Sequence, residues 1–213
     1  MEDGKKMKIL YEDNHLIVFV KDYNIPIQED SSKDKDLFSM IKEYIKEKYN
    51  KPGNVYLGLI HRLDRPVGGV MVFAKTSKAA SRLSEQFRLH NVEKRYMALV
   101  HGKAKEHDVL VNRLLKNEKT NTSFVTDEGK EAKLEYNLLE YRNGMSLIDI
   151  NLYTGRHHQI RVQLSYNNHP IYGDQRYGKA NEKVQIHLWA YKLKFKHPVK
   201  DEVLEFIEYP DFK

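Results

Sequence analysis

The chain has 213 residues, 40% of them hydrophobic, which suits one large domain or one domain with a small appendage. It contains no cysteine, which excludes disulfides, zinc–thiolate sites and a cysteine nucleophile, and no apolar run approaches the ~20 residues of a membrane-spanning helix. Thirty-six Lys and Arg against thirty Asp and Glu give a formal charge of +6, and residues 61–96, with eight cations and three carboxylates, supply +5 by themselves. Basic charge gathered in one segment is the pattern expected where phosphates are contacted.

The first eight residues are basic and polar and lack the apolar stretch of a secretory leader, which fits a cytoplasmic location. Residues 8–12 and 15–21 predict a hairpin that turns at Asp13-Asn14. Residues 22–35 are polar, carry Pro26 and read as a loop. Leu37, Met40, Ile41, Tyr44, Ile45 and Tyr49 fall at helical spacing, so residues 36–49 predict an amphipathic helix, capped by Asp34 or Asp36 and ended by Pro52-Gly53. Two apolar runs, 55–60 and 70–74, predict strands on either side of a loop. Thr76 or Ser77 caps a second helix running to His90, with Ala80, Leu83 and Phe87 on its buried side.

Residues 92–101 predict a strand holding Lys94-Arg95-Tyr96, residues 103–108 a charged turn, and residues 109–125 two short strands. Residues 132–141 and 145–152 predict antiparallel strands across Arg142-Asn143-Gly144. Residues 158–166 predict a short helix that Asn167-Asn168-His169-Pro170 stops. A loop over 172–178 and strands over 185–196 and 202–207 complete the chain. Strands in hairpin-like succession with three helices predict the α+β class with a mixed, mainly antiparallel sheet.

Four groups of residues bear on chemistry. The loop between the two apolar runs reads His61-Arg62-Leu63-Asp64-Arg65-Pro66-Val67-Gly68-Gly69. A lone Asp in a loop is usually a turn former. Asp64, however, sits between two arginines, whose charge keeps a carboxylate ionised and able to act as nucleophile or base. The second group is Gly155-Arg156-His157-His158-Gln159-Ile160-Arg161. With a helix from His158 onward, Gln159 and Arg161 point away from Ile160 and Leu164, so Arg161 is either a surface residue or a bidentate partner for Asp64. The third is the set of histidines 157, 158, 169 and 187, which show no metal-ligand spacing, so no metal is expected. The last is Tyr96 beside Lys94 and Arg95, suited to stacking on a base while cations hold phosphate, although tyrosine in a strand is more often core.

Taken together these residues resemble the RluA-type RNA pseudouridine synthases. His61-Arg62-Leu63-Asp64, Gly69 and Phe73-Ala74-Lys75-Thr76 are similar to that family's signature. Gly155-Arg156-x-His158-Gln159-Ile160-Arg161, Pro170-Ile171-x-Gly173-Asp174, Lys94-x-Tyr96 and Leu193-x-Phe195-x-His197-Pro198 resemble its further motifs, in the same order. Lys21-Asp22 stands where Lys-Pro is usual, and Gln163 where His is common.

The resemblance implies a pseudouridine synthase fold with a central catalytic cleft and flanking helices. It implies isomerisation of uridine to pseudouridine in ribosomal or transfer RNA, with Asp64, Tyr96 and Arg161 catalytic. Arg62, Arg65, Lys94, Arg156 and Gln159 are the expected RNA-binding residues. No cofactor is expected, because the isomerisation has no net redox change. One catalytic domain over residues 1–213 is expected, with no separate N-terminal RNA-binding domain, acting as a monomer with no obligatory protein partner. The rival readings are a non-catalytic RNA-binding module of the same fold and a metal-dependent hydrolase.

Overall fold

The computed structural model describes residues 8–30, 32–179 and 182–212; the leader expectation for the first residues lies, up to residue 7, outside them. Eleven strands and three helices are found among the described residues. The chain divides into two compact units, Met1–Val92 with Leu193–Glu208, and Glu93–Lys192 with Tyr209–Lys213.

The first unit is built on β1 (Lys8–Glu12), β2 (Leu16–Lys21) and β4 (Gly68–Ala74). β2 and β4 pair antiparallel from Leu16↔Ala74 to Lys21↔Gly69, and all seven residues of β4 are buried. Side chains alternate across a strand. Leu16, Val18, Val70 and Val72 therefore share one face, where they meet Ala79 and Leu83 of α2 (Ser77–Arg88). Phe19 and Phe73 stack on the opposite face, and Phe38 of α1 (Leu37–Lys48) reaches Phe73 there. The helices start where the caps predict: Asp36 accepts from Ser39 N–H and Thr76 from Ala79 N–H.

Two polar clusters tie this unit together. Asp13, in the turn between β1 and β2, accepts from the amides of His15 and Leu16 and from Tyr11 Oη, and pairs with the buried His197 at 2.9 Å. Glu12 accepts from Lys48 (2.6 Å), Lys75 (2.7 Å), Tyr49 (2.8 Å) and Tyr44 (2.9 Å). Burial pushes the Glu12 carboxyl up, but those donors outweigh it and hold its pKa at about 2.

The second unit is an antiparallel meander of β5 (Glu93–His101), β9 (Met145–Leu152), β8 (Lys130–Arg142), β6 (His107–Asn117) and β7 (Thr122–Val125), neighbours in that order. Asn143 and Gly144 turn β8 into β9 with φ of +52° and +75°, the left-handed pair that a two-residue hairpin needs. α3 (Gln159–Tyr166) lies on this sheet with Gln159 to Leu164 buried. β10 (Leu188–Lys196) contributes residues 188–192 to this unit and 193–196 to the first, where β11 (Val203–Ile207) pairs with it.

Three boundaries differ from the sequence-based expectation. The apolar run 55–60 yields only a two-residue strand, β3 (Gly58–Leu59), because only these two residues pair with β4. β6 has 11 residues, beginning inside the expected charged turn. Its apolar residues occupy both faces, with Leu110 and Leu114 buried and Val109, Val111 and Leu115 exposed, so the alternation is blurred in sequence. β10 starts at Leu188, not at Gln185.

Candidate active site

Asp64 lies on the loop that enters β4. Leu63 and Val67 on either side of it are buried, which pins the loop at two points, while Arg62 is exposed and Asp64 half-buried. The Val67 N–H donates to the Asp64 carbonyl at 2.9 Å and closes a turn over Arg65 and Pro66. Just upstream, His61 accepts the Val72 N–H at Nε2 (3.1 Å) and stacks on Phe87. Gly69, with φ of +131°, takes a conformation that side chains rarely allow.

The floor of this loop is Lys21, to which the sequence reading assigned no role. It is fully buried at the end of β2, and its ammonium donates to the carbonyls of Val67 (2.7 Å), Arg65 (2.9 Å) and Asp22 (3.1 Å). Burial lowers its pKa to about 7; the Asp64 carboxylate, and after it Asp22, oppose that shift, and Arg65 adds to it. Its sequence signals are a cation closing the apolar run Leu16 to Val20 and the place of Lys21-Asp22 where the resembled family has Lys-Pro.

The arginines flanking Asp64 have different partners. Arg62 donates to Gln28 Oε1 at 2.8 Å. Arg65 pairs with Asp30 at 3.1 Å and with Asp34, and donates to Ser32. Both pairs are exposed to solvent, where such contacts are weak.

In the second unit Tyr96 is buried on β5, opposite Ile150 of β9. Its neighbour Arg95 forms a two-point pair with Asp149, which also accepts from Tyr191 Oη at 3.0 Å. Lys94 differs from both. Among the described residues no hydrogen bond or ion pair reaches its ammonium, and burial lowers its pKa to about 8. A methyl group placed on Gly155 would lie 3.8 Å from Lys94 Nζ, so the ammonium stands against the turn that carries Arg156.

Arg161 is buried, which overturns its surface alternative. Its Nε and Nη2 each donate to an Asp174 carboxylate oxygen at 2.8 Å, and its guanidinium centre lies 5.2 Å from the middle of the Tyr177 ring. Burial raises the Asp174 pKa, but Arg161 and the amides of Arg176 and Tyr177 outweigh this and leave it lowered. Asp174 carried no assigned role in the sequence reading, although it ends the motif 170–174.

Gln159 is buried. Its Oε1 accepts from Thr154 Oγ1 and from the Arg156 N–H, and its Nε2 donates to Lys133 O and Gln163 Oε1. With all its hydrogen-bonding capacity directed inward, it fixes the 154–156 turn ahead of α3. α3 buries polar as well as apolar side chains, where the spacing predicts an outward polar face. Arg156 is exposed, with Nε anchored on Glu131 O at 2.8 Å.

His157 bonds Ser123 Oγ at 2.9 Å and His158 bonds Tyr177 Oη at 2.7 Å, and their rings lie 3.7 Å apart. Among the described residues no group of three or more His, Asp or Glu is placed to hold a metal ion. Nor is any helix long and apolar enough to cross a membrane.

Comparison with known proteins gives this geometry its context. The sequence pattern described as RNA pseudouridylate synthase matches residues 15–166, which include Asp64, Tyr96 and Arg161. Ribosomal large subunit pseudouridine synthase C of Vibrio parahaemolyticus is 34% identical over 206 residues, covering 92% of this chain and 64% of its own length. An uncharacterized RNA pseudouridine synthase of Helicobacter pylori is 33% identical, covering 94% and 65%. The solved structure of human RNA pseudouridylate synthase domain containing 4 superposes with a TM-score of 0.81 at 24% identity, over 96% of this chain and 89% of that one. The chain belongs to the RNA pseudouridylate synthase family. It spans a little under two thirds of the length of these curated relatives, and its α+β architecture is the pseudouridine synthase fold.

Proposed function

We propose that this chain isomerises uridine to pseudouridine within RNA, with Asp64 as the catalytic carboxylate. The observation that carries the reading is Asp64 itself, in the His61–Asp64 motif of a family member, on a loop held from below by a buried cation. The reaction breaks the N1 glycosidic bond, turns the uracil and rejoins it through C5. It has no net redox change and needs no cofactor. An ionised Asp64 serves either route to bond cleavage, attack on the anomeric carbon or abstraction of the 2′ proton. Arg161, fixed by Asp174, and Tyr96 are assigned as the other catalytic residues, with Tyr96 the platform for the uracil. Lys94, Arg62, Arg65 and Arg156 are the cations assigned to RNA. Their contacts offset the few kcal/mol needed to take a base out of its stack.

The names of the relatives point to large-subunit ribosomal RNA as the substrate, with transfer RNA the other candidate. The reaction is assigned to the cytoplasm and to a single copy of the chain.

The test uses RNA transcripts carrying 5-tritiated uridine, because joining through C5 releases that hydrogen. Wild type is expected to release tritium. Asp64→Asn is expected to lose about 10²–10⁴ in rate, as removal of an acid–base group does, with RNA affinity unchanged. Wild-type release by Asp64→Asn rules out this role for Asp64. RNA binding without release by wild type would favour the non-catalytic module.

A further inference from the structure

We propose that Arg113, Arg156 and Arg176 form a rail around β7 that takes phosphates of the RNA substrate. The inference rests on the reading above that the chain acts on RNA, and it adds Arg113 and Arg176 to the cations assigned to that partner.

Three observations carry it. The first is how each guanidinium is held. Arg113 Nε donates to Gly129 O at 2.9 Å, Arg156 Nε to Glu131 O at 2.8 Å and Arg176 Nη1 to Asn121 O at 2.6 Å. Each acceptor is a neutral carbonyl, so the positive charge is kept. Among the described residues no ion pair reaches any of the three, although Arg113 lies in register with Glu131. Arg88, Arg95 and Arg161 are instead paired with carboxylates. A guanidinium carries five N–H donors in a fixed fork, so the anchor leaves a pair of parallel donors for a phosphate.

The second is rigidity. A methyl group on Gly129 would meet the Leu114 backbone at 2.5 Å, so the carbonyl that Arg113 uses is pressed against β6. The backbone N–H of Arg156 donates to Gln159 Oε1 and that of Arg176 to Asp174 Oδ1, both at 2.9 Å. All three side chains are nonetheless exposed. Arginines fixed at main chain and side chain lose little further freedom when a ligand arrives.

The third is convergence on one strand. Arg156 and Arg176 each precede a residue bonded to Ser123 of β7: His157 reaches its Oγ at 2.9 Å, and Tyr177 Oη accepts its N–H at 2.8 Å. Asn121 stands just before β7, and just after it the Thr126 N–H donates to Arg113 O. The four residues between span about 13 Å. Within them Phe124 is 44% exposed and pairs in register with Leu115, on the face that Arg113 shares. Fixed cations around an exposed ring suit an RNA strand, in which phosphates and bases alternate.

The test is filter binding of in vitro transcribed large-subunit ribosomal RNA over a salt series. Arg113→Gln and Arg176→Gln are each expected to weaken binding about fivefold at about 0.1 M salt, and to flatten log K against log salt by about 0.7–0.9, the loss of one phosphate contact. The double variant should flatten it by about 1.4–1.8. Arg142→Gln removes the same charge from the far end of β8. It should leave affinity within about twofold, because exposed charges beyond a Debye length are screened. Arg113→Lys keeps the charge without the fork, and should recover the salt slope but not the full affinity.

Wild-type affinity and slope in the double variant overturn the proposal and leave this surface to an acidic protein or to solvent. So does an equal loss in Arg142→Gln, which would make the effect one of net charge, and so does full affinity in Arg113→Lys. If Arg113→Gln does not fold, Arg176→Gln and Arg176→Lys decide by the same criteria. Binding is read without catalysis: a wild type that binds this RNA but forms no pseudouridine sinks the catalytic reading alone, and one that does not bind it overturns the rail.

Discussion

Arg161 and Asp174 meet through two parallel hydrogen bonds of 2.8 Å, with both side chains all but sealed from solvent. Asp174 also accepts the Arg176 and Tyr177 amides, so the carboxylate is fixed by backbone as well as by its partner. A guanidinium held at two points and flanked by the Tyr177 ring has little freedom to turn. This rigidity is what an arginine needs if it is to place charge accurately.

Removing the carboxylate would take the acceptor from two guanidinium N–H groups of the buried Arg161 and from the Arg176 and Tyr177 amides. Asp174→Ala is therefore expected to lower folding stability by about 3–5 kcal/mol, the usual consequence of breaking one side of a buried pair. Urea unfolding at pH 7 measures it, and a loss under about 1 kcal/mol would show that the pair is not structurally important.

Lys94 should behave in the opposite way. Its ammonium is largely desolvated and no partner is found for it among the described residues. Lys94→Met is expected to raise stability at pH 7 by about 1 kcal/mol, after discounting the pKa shift for partial exposure. RNA affinity should fall, and the dependence of log K on log salt should flatten by about one phosphate contact. Thermal melts and filter binding over a salt series check both halves. Unchanged affinity would remove Lys94 from the RNA-binding set.

The lysine pKa values also set a pH dependence. Lys21 titrates at about 7 in the folded chain against 10.5 as its ordinary value. Between those two pH values the unfolded chain binds more protons, so this group makes stability rise with pH across that window. Its cost is fully present below pH 7. Wild-type stability measured from pH 7 to 9.5 should therefore climb relative to Lys21→Met at the same pH, and a flat difference contradicts the burial of a titrating amine.

Glu12 carries the reverse sign. Its folded pKa, at about 2, lies below the ordinary 4.5. The stabilisation it gives is present above about 4.5 and disappears as pH falls through about 2. Glu12→Gln should be less stable than wild type at pH 6, and the gap should close in acid. Chemical denaturation at pH 6, 4 and 2.5 follows it. A gap that persists at low pH would assign the effect to lost hydrogen bonds rather than to charge.

Much of the architecture was legible because local physics decided it. The Asp36 and Thr76 caps, the helical spacing of Leu37, Ile41 and Ile45, and the Asn143-Gly144 turn each act within a few residues. The 55–60 run failed because pairing, not apolarity, makes a strand, and only Gly58 and Leu59 find partners. Gln159 failed because a polar residue on a short helix is expected to face water, whereas Lys133 O, Thr154 and Gln163 satisfy it internally.

The sequence by itself determined the chemical groups at hand: a carboxylate in a basic loop, a tyrosine beside two cations, and an arginine 13 residues before an aspartate. Which of those cations remain available was decided only by the tertiary structure. Arg65 and Lys94 are both basic residues of the same segment. Yet Asp30 and Asp34, over thirty residues away, pair with the first, and among the described residues no carboxylate pairs with the second. Lys21 makes the same point from the interior: as a letter it is one lysine among many, and as a structure it is the donor for three carbonyls beneath Asp64. The physical reason is that charge is a property of a residue, while pairing and burial are properties of its surroundings, which folding assembles from distant parts of the chain.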